Sequence, residues 1–282
     1  MSSLTGKVVM VTGAGSGIGE HTALRFAREG AKLVLADIDA ERARDVAARI
    51  EADGGEALAM AVDVSQRAQV DAMVRAAVER FGAVHVLVNN AGYGLGATVE
   101  QTTEDDFRDL WETNVLGVLF GMQAVLPVMQ RQGSGHIISV SSAAGRIAYP
   151  GIAAYSATKH AVAALTDSLR AEVAGQGIHA SAVFPIGTRT KFFSSARLME
   201  GGSVGPHGPT QSPEHVAKRI VDCARRPTLE VLPYRPLRIG IVLLAAFPAL
   251  MAFITRRAAR QQARQDSAEP TKAQQQEEVP HG

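Results

Sequence analysis

Short, almost unbroken apolar runs alternate along the chain with longer stretches in which apolar residues recur every three or four positions. The runs read KVVMVT, KLVLAD, ALAMAVDV, VHVLVNN, GHIISVSS, HASAVF and LEVLP. A strand with one wet face alternates apolar and polar residues, whereas unbroken runs fit strands covered on both faces. The stretches between them, such as GIGEHTALRFAREG, AERARDVAARIEADG and AQVDAMVRAAVERFG, carry the helical period. Two of these close on Gly after a charged last turn, a common helix stop. Strand and helix in repeated alternation predict an α/β fold with a doubly wound parallel sheet of about seven strands. This pattern occupies residues 1–234 as a single domain, and no repeat of solenoid length interrupts it.

Three segments leave the rhythm. Residues 186–212, IGTRTKFFSSARLMEGGSVGPHGPTQS, are rich in Gly, Pro and Ser and follow the end of a strand. Ligands of open α/β sheets bind at such ends, so the segment is expected to form a substrate lid. SPEHVAKRIVDCARRP then starts a helix with Ser212 as N-cap, Pro213 in the first turn and Pro227 beyond its end. Residues 235–255 form an apolar helical extension in which Ile239 to Ile254 carry no charge. A helix of that length covers ~24 Å against a bilayer core of ~30 Å, and Pro248 would kink it, which disfavours a spanning segment. The flanking arginines suit a peripheral membrane contact through residues 235–260, while packing against a substrate cleft or another subunit is the alternative. Residues 256–282 are polar and Gln-rich, which predicts a disordered tail.

Composition narrows the class. Apolar residues make up 46% and charged residues 20%, a balance that suits a globular protein with a sizeable core. A net charge of +1 offers no electrostatic footprint for nucleic acid, and no nucleic-acid partner is expected. The single cysteine, Cys223, cannot form an internal disulfide, and its neighbours IVDCARR place it in a helix core. MSSLTGKVVMVTG runs directly into the first strand and leaves no room for a signal peptide. A cytoplasmic protein, peripheral at the membrane if the extension meets lipid, is therefore expected. The eight histidines are scattered without ligand-like pairing, so no metal site is expected.

Candidate chemistry starts at TGAGSGIG, Thr12 to Gly19, between the first strand and the first helix. Glycines there either close a tight turn or let the backbone approach a phosphate. The helix start that follows offers free N–H groups and a partial positive charge, and this context favours the phosphate. The sheet is then Rossmann-like. About twenty residues on, Asp37 ends the second strand, where a carboxylate can accept from an adenosine ribose and would repel a 2′-phosphate. No basic residue stands at 16 or just after Asp37, which favours NAD over NADP. YSATKHAVAAL sets Tyr155 and Lys159 one helical turn apart, on one face.

The T-G-x-x-x-G-x-G spacing is joined by NNAG (Asn89 to Gly92), by Ser142, and thirteen positions later by the Y-x-x-x-K of Tyr155 and Lys159. In this order the motifs closely resemble the classical short-chain dehydrogenase/reductase family, from about Lys7 to about Leu232. The resemblance implies that Tyr155 is the general acid–base and that Lys159 binds the nicotinamide ribose. It implies further that Ser142 holds the substrate oxygen and that Asn114, in LWETNVLG, holds a water leading from Lys159 to solvent. A cation one turn from the phenol is expected to favour the phenolate and lower a pKa that is otherwise near ~10. Ser141 lies beside Ser142, but the spacing to Tyr155 favours Ser142.

The resemblance also distributes the cofactor. Gly13, Ser16, Gly17, Ile18 and Gly19 would face the pyrophosphate and ribose, Asp37 the adenosine ribose, and Asp63 and Val64 the adenine. Asn90, Ala91 and Gly92 would follow along the cleft with Tyr155 and Lys159. The usual P-G-x-V-x-T segment reads Pro185-Ile186-Gly187-Thr188-Arg189-Thr190 here. Pro185, Thr188 and Thr190 would flank the nicotinamide carboxamide, and Ile in place of Gly leaves the local backbone path open.

The expected function is NAD(H)-dependent interconversion of a secondary alcohol and a ketone, with an apolar small-molecule substrate, in a homodimer or homotetramer. The alternative is a non-catalytic NAD-binding scaffold or redox-sensing regulator of the same fold. The presence of Asn114, Ser142, Tyr155 and Lys159 together favours the enzyme, since a scaffold has no physical need for all four. Substrate choice would rest with residues 93–98, 143–152 and 186–212.

Overall fold

A computed structural model describes residues 3–190, 192, 197–198, 208–247, 249, 253 and 257. The parallel sheet takes in all the apolar runs of the sequence. Its strands are β1 (Val8–Thr12), β2 (Lys32–Asp37), β3 (Glu56–Ala61), β4 (Val86–Asn89), β6 (Gly135–Val140), β7 (Ile178–Val183) and β9 (Glu230–Val231). They lie in the order β3-β2-β1-β4-β6-β7-β9, every neighbouring pair parallel. The order reverses between β1 and β4, which opens a crevice beyond their carboxyl ends. A second, two-residue parallel pair joins β5 (Leu95–Gly96) to β8 (Arg197–Leu198), a pairing the hydrophobic pattern is too short to announce.

Adjacent residues of a strand serve opposite faces. On one face Val9, Val11, Leu33 and Leu35 pack with Phe26 of α1 (Gly17–Arg28), Ile50 of α2 (Ala40–Ala52) and Ile220 of α7 (Pro213–Arg225). On the other, Val8, Met10, Val34 and Leu87 pack with Met73 of α3 (Arg67–Phe81), Met122 and Met129 of α5 (Gly117–Gln132), and Val162 of α6 (Ala153–Glu172). Both sides of the sheet are covered, so apolar residues dominate the runs, and the polar ones among them, such as His136 and Ser181, are buried as well. At the edge, β3 has only one neighbour and its four central residues are half-buried. Cys223 is buried in the first of these clusters as a free thiol.

Helix ends follow the capping logic. Asp39 accepts from Glu41 N and Arg42 N, and Ser212 accepts from His215 N, while Gly82 closes α3 in the left-handed conformation. The segment from Glu104 to Gln132 is continuous, with α4 (Glu104–Trp111) running through a π turn at Glu112–Leu116 into α5. Its length and apolarity would suffice to cross a bilayer, but Val118, Met122, Val125 and Met129 pack on the sheet as a core helix does.

The chain divides into two units after Leu237. The second begins within α8 (Pro236–Ala246), the described part of the apolar extension. Much of the lid expected at 186–212 and nearly all of the tail at 256–282 lie outside the described residues.

His136 on β6 is buried, its Nε2 2.8 Å from Ser181 Oγ. Burial, helped by His179 nearby, pushes its pKa down to about 3 from an ordinary 6.5. Between those values the unfolded chain binds the proton and the folded chain does not, so stability falls as pH drops through 6.5 toward 3. His136→Gln removes that titration and should move the midpoint of acid unfolding, followed by circular dichroism, to lower pH.

Candidate active site

A cavity of about 670 Å³ occupies the crevice. Its lining includes Gly13, Ser16, Gly17, Ile18, Asp37, Asp63, Val64, Asn90, Ala91 and Gly92 from the carboxyl ends of β1 to β4. From the other side come Ser142, Tyr155, Lys159, Pro185, Thr188 and Thr190. The structure therefore brings together all but two of the residues singled out in the sequence. Gly19 and Asn114 are the exceptions, and both sit directly behind the wall.

Gly19 is required by close approach: a Cβ there would lie 1.9 Å from the carbonyl oxygen of Gly13. The turn folds α1 down onto the end of β1, and Ser16 gives the first amides of α1 no side-chain cap. The N-termini of α2 and α4, in contrast, are capped by Asp39 and Thr103. Uncapped N–H groups at a helix start bordering a cavity are suited to an anionic group. Thr12 Oγ1 accepts from Asn90 N (3.0 Å) and Ala91 N (3.1 Å), and Asn90 Nδ2 donates to Thr12 O (3.0 Å) and Gly13 O (3.2 Å). Thus the Asn90 side chain latches the two loops together, leaving its backbone side to the cavity.

Asp37 is held firmly. Its Oδ2 accepts from Gly15 N at 2.8 Å and its Oδ1 from Asp39 N at 3.0 Å. The chain carries no basic residue immediately after it, yet Arg42, from the first turn of α2, lines the same end of the cavity. Arg42 Nε lies 3.0 Å from Asp39 Oδ2. Linear spacing hid it, because the helical turn brings position 42 back beside the end of β2.

The π turn carries Asn114, which is fully buried. Its Oδ1 accepts from Tyr93 N at 3.0 Å, while Nδ2 donates to Tyr93 O at 3.0 Å and to Thr158 Oγ1 at 3.2 Å. A Cβ on Gly92, at φ +156°, would fall 2.6 Å from that Oδ1. Thr158 Oγ1 in turn donates to Tyr155 O, and Ser141 Oγ donates to Lys159 O, both at 2.8 Å. Ser141 lines the cavity too, but its hydroxyl is engaged by the α6 backbone, whereas Ser142 faces the phenol.

Tyr155 and Ser142 line the cavity together, and Ser142 Oγ accepts from Ala144 N at 3.1 Å. Lys159 Nζ donates to Val140 O at 3.1 Å and lies 5.7 Å from the centroid of the Tyr155 ring. Burial pushes the phenol up to about 12, against a smaller opposing effect of Ser142, and pulls the ammonium down to about 8. This corrects the expectation that Lys159 lowers the Tyr155 pKa. The ammonium is aimed at a carbonyl, and removing both groups from water outweighs their mutual field.

Ile186 needs no left-handed backbone, since no described residue other than glycine has positive φ. The segment is instead clamped by Gln211, which the sequence did not single out. Its backbone bonds Gly187 O and Arg189 N at 2.9 Å each, and its buried side chain reaches Thr188 Oγ1 at 3.3 Å. Thr190 then lies against the Gly-rich turn, 3.2 Å from where a Gly17 Cβ would be.

Residues 7–201 match the family model for short chain dehydrogenase. The chain belongs to the short-chain dehydrogenase family of oxidoreductases. An uncharacterized oxidoreductase of Listeria innocua is 40% identical over 195 residues, which cover 68% of this chain and 79% of that protein. A Mycobacterium tuberculosis protein named "Putative oxidoreductase SadH" is 36% identical over 231 residues, 79% of this chain and 84% of its own. Among solved structures, a short chain dehydrogenase/reductase from Burkholderia phymatum in complex with NAD superposes with TM-score 0.82 at 30% identity, covering 89% of this chain and 96% of that one. A 3-ketoacyl-(acyl-carrier-protein) reductase from Brucella melitensis complexed with NADH gives 0.70 at 36% identity, over 82% and 97%.

In this short-chain dehydrogenase the two pKa displacements have opposite consequences. Below 10.5 and above about 8 the unfolded Lys159 holds a proton that the folded one sheds, so stability rises with pH there. Between 10.0 and about 12 the folded Tyr155 keeps the proton that the unfolded one loses, and stability falls. Lys159→Met should abolish the rise above pH 8 in urea-unfolding free energies and leave the decline above pH 10.

Proposed function

We propose that the chain is an NAD(H)-dependent oxidoreductase that interconverts a secondary alcohol and a ketone, with Tyr155 as general acid–base. The observation that carries the reading is that Ser142, Tyr155 and Lys159 line one cavity, with Ser142 near enough to favour the phenolate and Lys159 one turn from Tyr155 on α6. A carbonyl oxygen received between the two hydroxyls could accept from both. Ser142 would hold it in place, and Tyr155 would give it a proton in reduction and take the proton back in oxidation. Burial keeps the phenol in the protonated form that reduction needs.

The nicotinamide ring, when bound, supplies or accepts the hydride. The fit of this chain to such a cofactor rests on the uncapped start of α1 for the diphosphate and on the fixed Asp37 carboxylate for the adenosine ribose. Thr188 and Thr190 would flank the carboxamide, and Asn114 would act through Thr158 and the Tyr93 backbone to position Tyr155. The relatives bound to NAD and NADH support the same cofactor class. Phe192 lies 5.8 Å from Tyr155 between ring centroids, Tyr93 packs in the same small cluster, and the cavity lining also includes Ile152, Ile186, Tyr234 and Leu237. Lys159 and Arg42 are the cations among the described lining residues, and Arg42 belongs to the Asp37 end. The surroundings of Tyr155 thus favour a neutral, apolar substrate over one bearing phosphate or carboxylate.

Tyr155→Phe keeps the ring and removes the exchangeable proton. It should leave NADH binding, followed by fluorescence, close to that of the parent, while turnover of a ketone reduced by the parent drops at least about a hundredfold. A variant that retains most of its turnover excludes Tyr155 as the acid–base, and a parent that binds NADH but reduces none of a broad ketone panel is the scaffold instead.

Asp37 should impose NADH over NADPH. Asp37→Ala should shift the ratio of kcat/KM values toward NADPH by roughly tenfold, since Arg42 can then pair with the 2′-phosphate. Adding Arg42→Ala should cancel most of that gain. A parent already using NADPH as efficiently as NADH would show that Asp37 does not set the preference.

A further inference from the structure

Exposed apolar side chains such as Ile38, Val99 and Leu229 stand singly on the surface, as they do on most proteins. Those of α8 do not. Ile239, Val242 and Leu243 follow one another at helical spacing and are 66%, 59% and 46% exposed. Phe247, whose amide donates to Leu243 O at 2.9 Å, continues the same stripe at 58% exposure. The other side of the helix is drier: Leu237 is buried, and Ile241 and Leu244 are half-buried. Ile239, Val242, Leu243 and Phe247 thus form the more exposed apolar stripe of the helix.

The charge flanking α8 along the sequence is one-sided. Arg235 and Arg238 lie at its start, both exposed, and Arg256, Arg257, Arg260 and Arg264 follow in the sequence. No acidic residue occurs between Glu230 and Asp266, in a chain whose net charge is only +1. We infer that the exposed face of α8, with the arginines on either side of it, docks on anionic lipid. Apolar side chains enter the headgroup boundary while guanidinium groups meet phosphate, the arrangement of an interfacial helix. The uncharged run Ile239 to Ile254 would cover ~24 Å as a helix, short of the ~30 Å bilayer core, so the expected placement is on the surface without crossing. A second copy is the poorer occupant, because stacking this face on itself would bring like charges together. The inference is independent of the redox reading, since none of these side chains lies among the proposed reactive groups.

The test is co-sedimentation of the full chain with vesicles made of equal parts phosphatidylglycerol and phosphatidylcholine, or of phosphatidylcholine alone. Binding is expected to the anionic vesicles at low salt, with release as salt rises and little retention on phosphatidylcholine. Val242→Glu combined with Leu243→Glu should abolish binding with an unchanged melting temperature. Arg235→Gln combined with Arg238→Gln should weaken it roughly tenfold and flatten the salt dependence. If the glutamate pair lowers the melting temperature, the glutamine pair and the salt titration decide. Failure to bind anionic vesicles at low salt, equal binding to phosphatidylcholine alone, or unaltered salt-dependent binding by the glutamine pair overturns the inference. So does a dimer, measured by light scattering, that the glutamate pair dissolves without any lipid binding by the parent. Equally strong binding to soluble polyglutamate would overturn it in favour of an acidic protein partner.

Discussion

The arrangement of the cavity depends on one buried amide. Asn114 exchanges two hydrogen bonds with the backbone of Tyr93 and donates a third to Thr158, which itself donates to the carbonyl of Tyr155. Three segments distant in sequence thus meet at one side chain: the loop after β4, the π turn and the start of α6. An amide is well suited because it both donates and accepts in fixed directions, and an unmade bond at so buried a position would cost about 1–3 kcal/mol. The extra residue of the π turn aims the side chain inward, and Gly92 leaves the space that a Cβ would take.

Around that knot the cavity has two ends of different chemistry. At the carboxyl ends of β1 and β2, backbone amides and a fixed carboxylate predominate, so recognition there is by direction and charge. At α6 and the segment after β7, apolar and aromatic side chains are joined by the hydroxyls of Ser142, Tyr155, Thr188 and Thr190 and by the ammonium of Lys159. These groups are not equivalent. Ser142 and Tyr155 face each other, whereas Lys159 is anchored to Val140 O on the end of β6. Burial sets both pKa values, raising the acid and lowering the base, so each group is held nearer to its neutral form than it would be in water.

Much of this was legible in the letters because parallel sheets covered on both faces leave a conspicuous pattern. Unbroken apolar runs such as KVVMVT and KLVLAD could hardly be anything but buried strands, and the glycines of TGAGSGIG stand between a strand and a helix, where a phosphate turn belongs. The spacing of Ser142, Tyr155 and Lys159 carried the family resemblance and with it most of the cavity. The two-residue pairing of β5 with β8 was not legible, since neither partner is long enough to show a period. Nor was Gln211, which reads as one more polar residue in a Gly- and Pro-rich stretch until its partners at 187–189 are seen.

The sequence by itself determined the alternation of strand and helix, the family, and many of the residues at the cavity. These are properties of local period and fixed spacing, which survive in one dimension. Only the tertiary structure decided which way each side chain is turned. It sent Ser141 to the α6 backbone and Ser142 to the phenol, brought Arg42 beside Asp37, and pointed Lys159 at a carbonyl instead of at Tyr155. Orientation and desolvation arise from contacts between segments far apart in the chain, and a pKa is set by those contacts, so no spacing along the sequence can encode it.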